Sequence, residues 1–271
     1  MQNQISPLIL SFDASDPVAA IGVQADLASF AAMGCHGLPV VTAILTGDTA
    51  QIDDVHPLDA DLLNEQARTV LEDMQVAAFK VGQVGSVENV SVIAEIVSDY
   101  PDLPLVLDPF HAAVPDQGED SEDLLLSIRE LLIPQASVLL ISAVELSRLA
   151  ETWKETPIPD ELEADVASLI ESGCEYVLVT GTAAAAGAVA NTLFNEAGVV
   201  RNDHWPRLAG AYVGAGATLA AAIAALLAKG LEMPEAVLEA QEYTQAAIAH
   251  AQRLGMGKLI PDRYFWAREP E

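Results

Sequence analysis

Tyr212-Val213-Gly214-Ala215-Gly216-Ala217-Thr218 opens an Ala/Leu-rich segment that closes at Lys229-Gly230, and the rest of the chain is arranged around it. Gly214 and Gly216 let the backbone pass close to a ligand, and the apolar run behind them predicts a buried helix whose first amides have no intrahelical partner. Such a helix start is an anion site, because free N–H groups and the positive end of the helix dipole face the same point. A lone Gly-x-Gly also marks an ordinary tight turn before a core helix, and the surrounding pattern decides between the two.

Working outward, short apolar runs alternate with amphipathic ones. Strands are predicted at Leu8–Phe12, Leu38–Thr46, Val76–Val81, Leu105–Asp108, Ser137–Ser142 and Tyr176–Thr180. Between them, helices are predicted at Gly22–Met33, from Asp59 to Met74, from Ser86 to Ser98, and at Leu124–Leu132, Val144–Ala150 and Glu161–Ser172. An acidic loop spans Pro115–Asp123, and Thr152–Asp160 is a Pro-containing connection within one domain. Thr182–Ala190 reads equally as a loop or as a strand of small residues. A hairpin over Asn191–Arg201 and a last helix from Pro234 to Leu254 complete the chain. Repeated strand-helix units imply a mostly parallel sheet with helices on both faces, in one α/β domain over residues 1–271. Ligands of such sheets bind beyond the carboxyl ends of the strands, an edge that gathers Asp13–Pro17, Thr46–Thr49, Gly82–Gly85, Asp108–His111, Ser142–Glu145, Thr180-Gly181 and the Gly214 loop.

Forty acidic residues against twelve basic ones give a formal charge of −28. That balance argues against nucleic acid or an anionic membrane as partner. It suits a salt-rich cytoplasm, where self-repulsion is screened. The longest apolar run, Ala217–Ala228, is too short to cross a bilayer. The first eleven residues carry no basic group before their apolar patch, so no secretory signal is expected, and Cys35 and Cys174 are expected to be reduced and buried. The five histidines show no metal-ligand spacing, and Trp153, Trp205 and Trp266 read as packing or interface residues.

The ordered set Ser15-Asp16-Pro17, Gly22-x-Gln24-Ala25-Asp26, Gly34-Cys35-His36 with Val41-Thr42-Ala43, Lys80-Val81-Gly82, Leu107-Asp108-Pro109 and Arg207-Leu208-x-Gly210-x-Tyr212 before Gly214-x-Gly216 resembles the hydroxymethylpyrimidine/phosphomethylpyrimidine kinases of thiamine biosynthesis. The resemblance covers nearly the whole chain. It implies a ribokinase-like three-layer α/β/α sandwich, ATP and Mg²⁺ as cofactors, a small-molecule alcohol and a nucleotide as ligands, and a homodimer. On the same ground Gly214, Ala215 and Gly216 become the anion hole for the transferred phosphoryl group. The substrate side falls to Ala14, Asp26, Gly47, Gln83 and Phe110, and the nucleotide and metal side to Asp108, Ser142, Glu145, Thr180 and Gly181, with Glu145 the candidate Mg²⁺ ligand. Lys80 is expected to hold local structure.

Several positions depart from the family pattern. The base position after the second anion-hole glycine, Cys in this family and Asp in the wider superfamily, is Ala217, whose methyl accepts no proton. The flexible Gly-Gly loop is Val18-Ala19-Ala20, and Asn-x-x-Glu reads Ser142-Ala143-Val144-Glu145. A phosphate-binding Lys before glycine is Thr180, the pyrimidine-contacting glutamine is Gly47, and the methionine after Lys-x-Gly is Gln83. Loss of a general base costs roughly 10²- to 10⁴-fold in rate. Weak or absent catalysis is therefore expected, with Asp26, Asp48 and Asp108 as surrogate bases. Two functions follow: a kinase, with a shifted substrate as one form of it, or a ligand-binding pseudokinase.

The charge excess yields a prediction of its own. The thermal midpoint should rise steadily as KCl goes from millimolar to molar, because screening removes repulsion that the native state concentrates. A scanning-fluorimetry midpoint that is flat over that range would remove the high-salt reading.

Overall fold

A computed structural model describes residues 6–110, 119–154, 162–184 and 187–267. In chain order the elements are β1 (Leu8–Ser15), α1 (Gly22–Ala32), β2 (His36–Gly47), β3 (Ile52–Pro57), α2 (Ala60–Asp73), β4 (Ala78–Val81), α3 (Val87–Ser98), β5 (Leu105–Leu107), α4 (Glu119–Ser127), β6 (Val138–Ser142), α5 (Ala143–Ala150), α6 (Leu162–Glu171), β7 (Tyr176–Ala183), β8 (Ala188–Asn195), β9 (Gly198–Pro206), α7 (Ala215–Ala228) and α8 (Met233–Ala249). Local chemistry sets several starts. The Asp59 carboxylate accepts from the Leu62 amide and opens α2, and the Ser86 hydroxyl accepts from the Asn89 amide and opens α3. Ser142 and Glu145 form a reciprocal capping box at the start of α5.

All nine strands join one sheet in the order β3-β2-β1-β4-β5-β6-β7-β8-β9. The pairings from β2 through β7 are parallel, and β3 and the β8–β9 hairpin close the two edges in antiparallel fashion. Alternate residues of each central strand feed opposite faces. Leu10, Phe12, Phe79 and Leu107 pack under α2, α3, α5 and α6, whereas Ile9, Ala78, Val106 and Leu140 pack under α1, α7 and α8. The architecture is thus the ribokinase-like α/β/α sandwich that the resemblance implied. No helix among the described residues is long and apolar enough to cross a membrane.

Three differences from the sequence reading have physical causes. Strand β3 was not expected, because Ile52-Asp53-Asp54-Val55-His56-Pro57 is polar; on an edge only Val55 needs burial. The helix expected at Leu124–Leu132 begins earlier, at Glu119, and its second half is a π-turn over Ile128–Leu132. The small-residue run after Thr182 is neither simply loop nor strand, since β7 continues to Ala183 and β8 starts at Ala188. Residues 111–118 of the expected acidic loop and its approach, and 155–161 of the Pro-containing connection, lie outside the described residues.

At β1 the connections diverge, β2 lying on one side and β4 on the other, so its carboxyl end is a switch point of the sheet. A fully buried ion cluster occupies it. The Lys80 ammonium on β4 meets Asp13 on β1 and, at 3.0 Å, Asp26 on α1, while Ser11 Oγ donates to Asp26 at 2.5 Å. Burial alone would lower the Lys80 pKa, but Asp13, Asp26 and Asp108 hold it raised. Burial pushes Asp26 up to about 6 against the pull of Lys80.

Lys80→Met should therefore cost roughly 3–5 kcal/mol, because it strands buried carboxylates without a counterion. The loss should be smaller at pH 5 than at pH 8. Without Lys80 the Asp26 carboxyl rises further above its unfolded value, the native state holds a proton the unfolded chain releases, and stability falls as pH increases through that interval. Urea denaturation at the two pH values measures both effects, and a loss under 1 kcal/mol would deny the cluster its structural role.

Candidate active site

Helix α7 starts at Gly214, whose φ of 92° disfavours any residue with a Cβ; a Cβ there would also overlap the Ala20 carbonyl oxygen. The helical ladder opens with the Thr218 amide donating to the Gly214 carbonyl at 3.0 Å. The amides of Ala215, Gly216 and Ala217 precede that ladder and are available to an anion. Further along, α7 is buried from Ala217 to Leu226, and its alanines let α1 and α8 pack close. The sequence thus leaves one end of this helix with open amides and makes the remainder core.

Residues Gly214–Ala217 line a cleft of about 440 Å³ at the carboxyl edge of the sheet. Around it the fold brings Asp108 and Phe110 from beyond β5, Ser142 and Glu145 from the start of α5, and Thr180 and Gly181 from β7. A polar network stiffens another part of the lining. Gln241 Oε1 accepts from Asn191 Nδ2 at 2.8 Å and from Trp205 Nε1 at 2.9 Å, and Gln241 Nε2 donates to Asp203, itself gripped by both arms of Arg201. That grip holds the Asp203 carboxyl below the usual range.

Two carboxyl groups face this cleft. Burial raises the Asp108 pKa well above the ordinary value; Lys80 opposes the shift and Glu145 adds to it. Asp108 Oδ2 is buried without a hydrogen-bond partner. Glu145 Oε2 accepts from the Ser142 amide at 2.8 Å, and no described residue bonds its other oxygen. No group of three or more His, Cys, Asp or Glu among the described residues is placed to hold a metal by itself. One or two carboxylates at a phosphate site do fit Mg²⁺, which takes oxygen ligands and completes its shell with water and substrate phosphates.

A second, nearly closed space of about 10 Å³ lies beside the cleft, lined by Val18, Gly47, Thr49 and neighbours. Its floor is a turn held hard. Asp16 accepts from the amides of Val18, Ala20 and Ile21, and the guanidinium of Arg263, 6% exposed, donates to the carbonyls of Ala19 at 3.2 Å and Ala20 at 2.6 Å and to Thr218 Oγ1 at 3.1 Å. This clamp keeps Ala19 at a φ of 56°, the left-handed backbone for which the family pattern supplies glycine. Over the space, Thr49 accepts from the Gly257 and Lys258 amides, so the 48–51 turn is clasped to the C-terminal segment.

The site expectations therefore divide. Ala215–Ala217, Asp108, Phe110, Ser142, Glu145, Thr180 and Gly181 share the large cleft, and Gly47 lines the small space. Ala14 and Asp26 are wholly buried, and neither lines either space. Asp26, expected at the substrate or as a surrogate base, is instead a counterion of Lys80. Gln83 is 5% exposed and contributes backbone bonds, its amide donating to Asp13 and its carbonyl accepting from Thr42. Asp48 spends its carboxylate on the amides of Ala50 and Gln51. The sequence reading missed Arg263, Lys258, Asn191 and Gln241, and took Trp205 for a packing or interface residue. All except Asn191 lie after β8, with no short motif to signal them.

Sheet, cleft and glycine-opened helix together define a ribokinase-like protein. The chain belongs to the phosphomethylpyrimidine kinase family, whose model matches residues 16–262. The hydroxymethylpyrimidine/phosphomethylpyrimidine kinase of Streptomyces coelicolor is 32% identical over 265 residues, covering 96% of this chain and 95% of the relative. Among solved structures, an ADP complex of Bacillus subtilis pyridoxal kinase superposes with a TM-score of 0.86 at 25% identity, over 97% of this chain and 100% of the other. Phosphomethylpyrimidine kinase from Clostridium difficile superposes at 0.71 with 26% identity, over 87% of this chain and 98% of the other.

The unequal size of the two spaces gives an expected order of binding. ADP should raise the thermal midpoint in a saturable way, whereas hydroxymethylpyrimidine alone should leave it unchanged, because a ligand stabilises only the form that has room for it. Saturable stabilisation by the pyrimidine alone would show that the 48–51 turn opens without help.

Proposed function

We propose that this protein is an ATP-dependent kinase for the hydroxymethyl group of a small pyrimidine alcohol, and that its turnover is slow. The carrying observation is the shared cleft: the open amides of Ala215–Ala217, the buried carboxyl of Asp108 and the second oxygen of Glu145 converge on one space. The relatives are hydroxymethylpyrimidine/phosphomethylpyrimidine kinases, and structural neighbours were solved with ADP or AMP-PCP. The relatives support the substrate class, and the neighbours, which are pyridoxal kinases, support a nucleotide donor.

In this reading the Ala215–Ala217 amides bind the phosphoryl oxygens, and the Gln241 network with Trp205 shapes the nucleotide side. Mg²⁺, when bound through Glu145 and the nucleotide phosphates, supplies positive charge to a transfer whose chemistry rests mainly on positioning and charge stabilisation. Asp108 takes the hydroxyl proton, since Ala217 has no acceptor and the two oxygens of Glu145 are assigned to the Ser142 amide and to Mg²⁺. Its raised pKa makes it a competent base once ionised.

Two observations favour a second reading, a nucleotide-binding protein without catalysis: the alanine at 217 and the small size of the Gly47-lined space, which the kinase reading assigns to the alcohol. Coupled ADP release with hydroxymethylpyrimidine, its phosphate and pyridoxal separates them. On the kinase reading the wild type turns over slowly, Asp108→Asn removes about 10²-fold of that rate, and Ala217→Cys gains at least about tenfold, more when combined with Thr180→Lys. The wild-type rate should climb with pH as Asp108 loses its proton, and Asp108→Asn should flatten the profile. No turnover in the wild type or either cysteine variant, with ADP still bound, would leave the binding reading alone.

A further inference from the structure

Among the described residues lining the 440 Å³ cleft, Lys258 is the only cation. It also lines the small space, and with Ile21 and Val213 it makes up the wall the two have in common. Its position is fixed from both flanks. The Lys258 amide donates to the Thr49 carbonyl at 2.8 Å and the Gly257 amide to Thr49 Oγ1 at 2.9 Å. On the other flank, the Leu259 amide donates to Ala211 at 2.8 Å and the Val213 amide to Leu259 at 2.9 Å, which pairs this segment with the approach to Gly214. Arg253 Nη1 donates to the Gly257 carbonyl at 2.8 Å. Gly255 and Gly257 leave no room for side chains against Thr49 and Ala50, so the clasp is close-fitting. No described carboxylate pairs with the Lys258 ammonium.

Charge makes this position matter. A nucleotide triphosphate entering the cleft meets Asp108 and Glu145 in a protein of formal charge −28, and the strand position that carries a lysine in the family pattern is Thr180. We propose that Lys258 contacts the transferring phosphoryl group, providing from the C-terminal segment the positive charge that β7 lacks. The assignment rests on the kinase reading for its catalytic sense. In the step, the alcohol oxygen forms a bond to the γ-phosphorus. The bond from that phosphorus to the β,γ-bridging oxygen breaks, and its electron pair leaves on ADP. The hydroxyl proton passes to Asp108. Lys258 keeps its proton throughout and offsets charge on the phosphoryl oxygens as the group crosses the common wall, while the α7 amides hold it at the helix end.

The test compares wild type, Lys258→Met and Lys258→Arg at one fixed KCl concentration, reading affinity for ADP and for β,γ-methylene ATP by calorimetry and turnover by coupled ADP release. Lys258→Met should weaken the γ-phosphate-bearing analogue about tenfold, the usual weight of one charge-assisted hydrogen bond, and leave ADP within about twofold. It should lower kcat by at least the same factor, and Lys258→Arg should recover part of both. Unchanged ADP affinity also reports that the variant is folded. Equal loss for both nucleotides, or no loss for either, overturns the assignment. Wild-type turnover with Lys258→Met unaffected overturns the lysine alone and leaves the kinase reading standing. Selective loss of the γ-phosphate analogue without turnover in any form supports the phosphate contact and sinks the kinase reading instead. A wild type that binds neither nucleotide overturns both.

Discussion

A single ammonium group buried at the switch point of the sheet underlies the site. Lys80 sits where β1, β4 and α1 meet, with Asp13 and Asp26 as counterions and Asp108 within its field. Two acids and one base in a place without water are tolerable only as a set, since each leaves an unmatched charge if another is removed. The set joins the strand that ends in the Asp16 turn, the helix that follows it, and the strand next to Asp108. The same lysine opposes the rise in the Asp108 pKa that burial causes, so the structural cluster and the carboxyl group of the cleft are electrostatically linked.

A second constraint comes from the far end of the chain. Arg263 reaches two carbonyls of the 18–20 turn and the first turn of α7, so it fixes the distance between the open amides of α7 and the loop beneath the small space. The alanine at 19 in a left-handed conformation shows what this does. Strain of roughly 1–2 kcal/mol that glycine would avoid is held in place by Arg263 on one side and Asp16 on the other. Alanines at 19 and 20, where the family pattern has glycines, thus stiffen this loop.

On the proposed kinase reading, the cleft has exchanged parts relative to the family pattern. A proton acceptor on the helix start is gone at Ala217, and a carboxyl group with an unpartnered buried oxygen lies on the same cleft at Asp108. A strand lysine is gone at Thr180, and Lys258 lines the cleft from the Thr49 clasp. Phosphoryl transfer tolerates such exchange because its loose transition state depends on where charge and donors sit, not on which residue type carries them.

Much of this protein was readable in residue order. Short apolar runs placed the parallel strands, Asp59 and Ser86 marked helix starts, and Gly214 marked the start of α7, because apolar runs, capping and positive φ are local properties of neighbouring residues. The excess of carboxylates set the electrostatic character without any fold. Tertiary structure decided the rest. Only folding could bury Asp26 against Lys80, since the pair is separated by two strands and a helix, or bring Arg263 to Ala20 across 243 positions. Edge strand β3 needed a neighbour before its polar sequence could be a strand at all. Lys258 is an unremarkable lysine in the sequence and, among the described residues, the one cation lining the cleft, because a side chain's place in a site is set by the elements that converge on it, and convergence carries no signature along the chain.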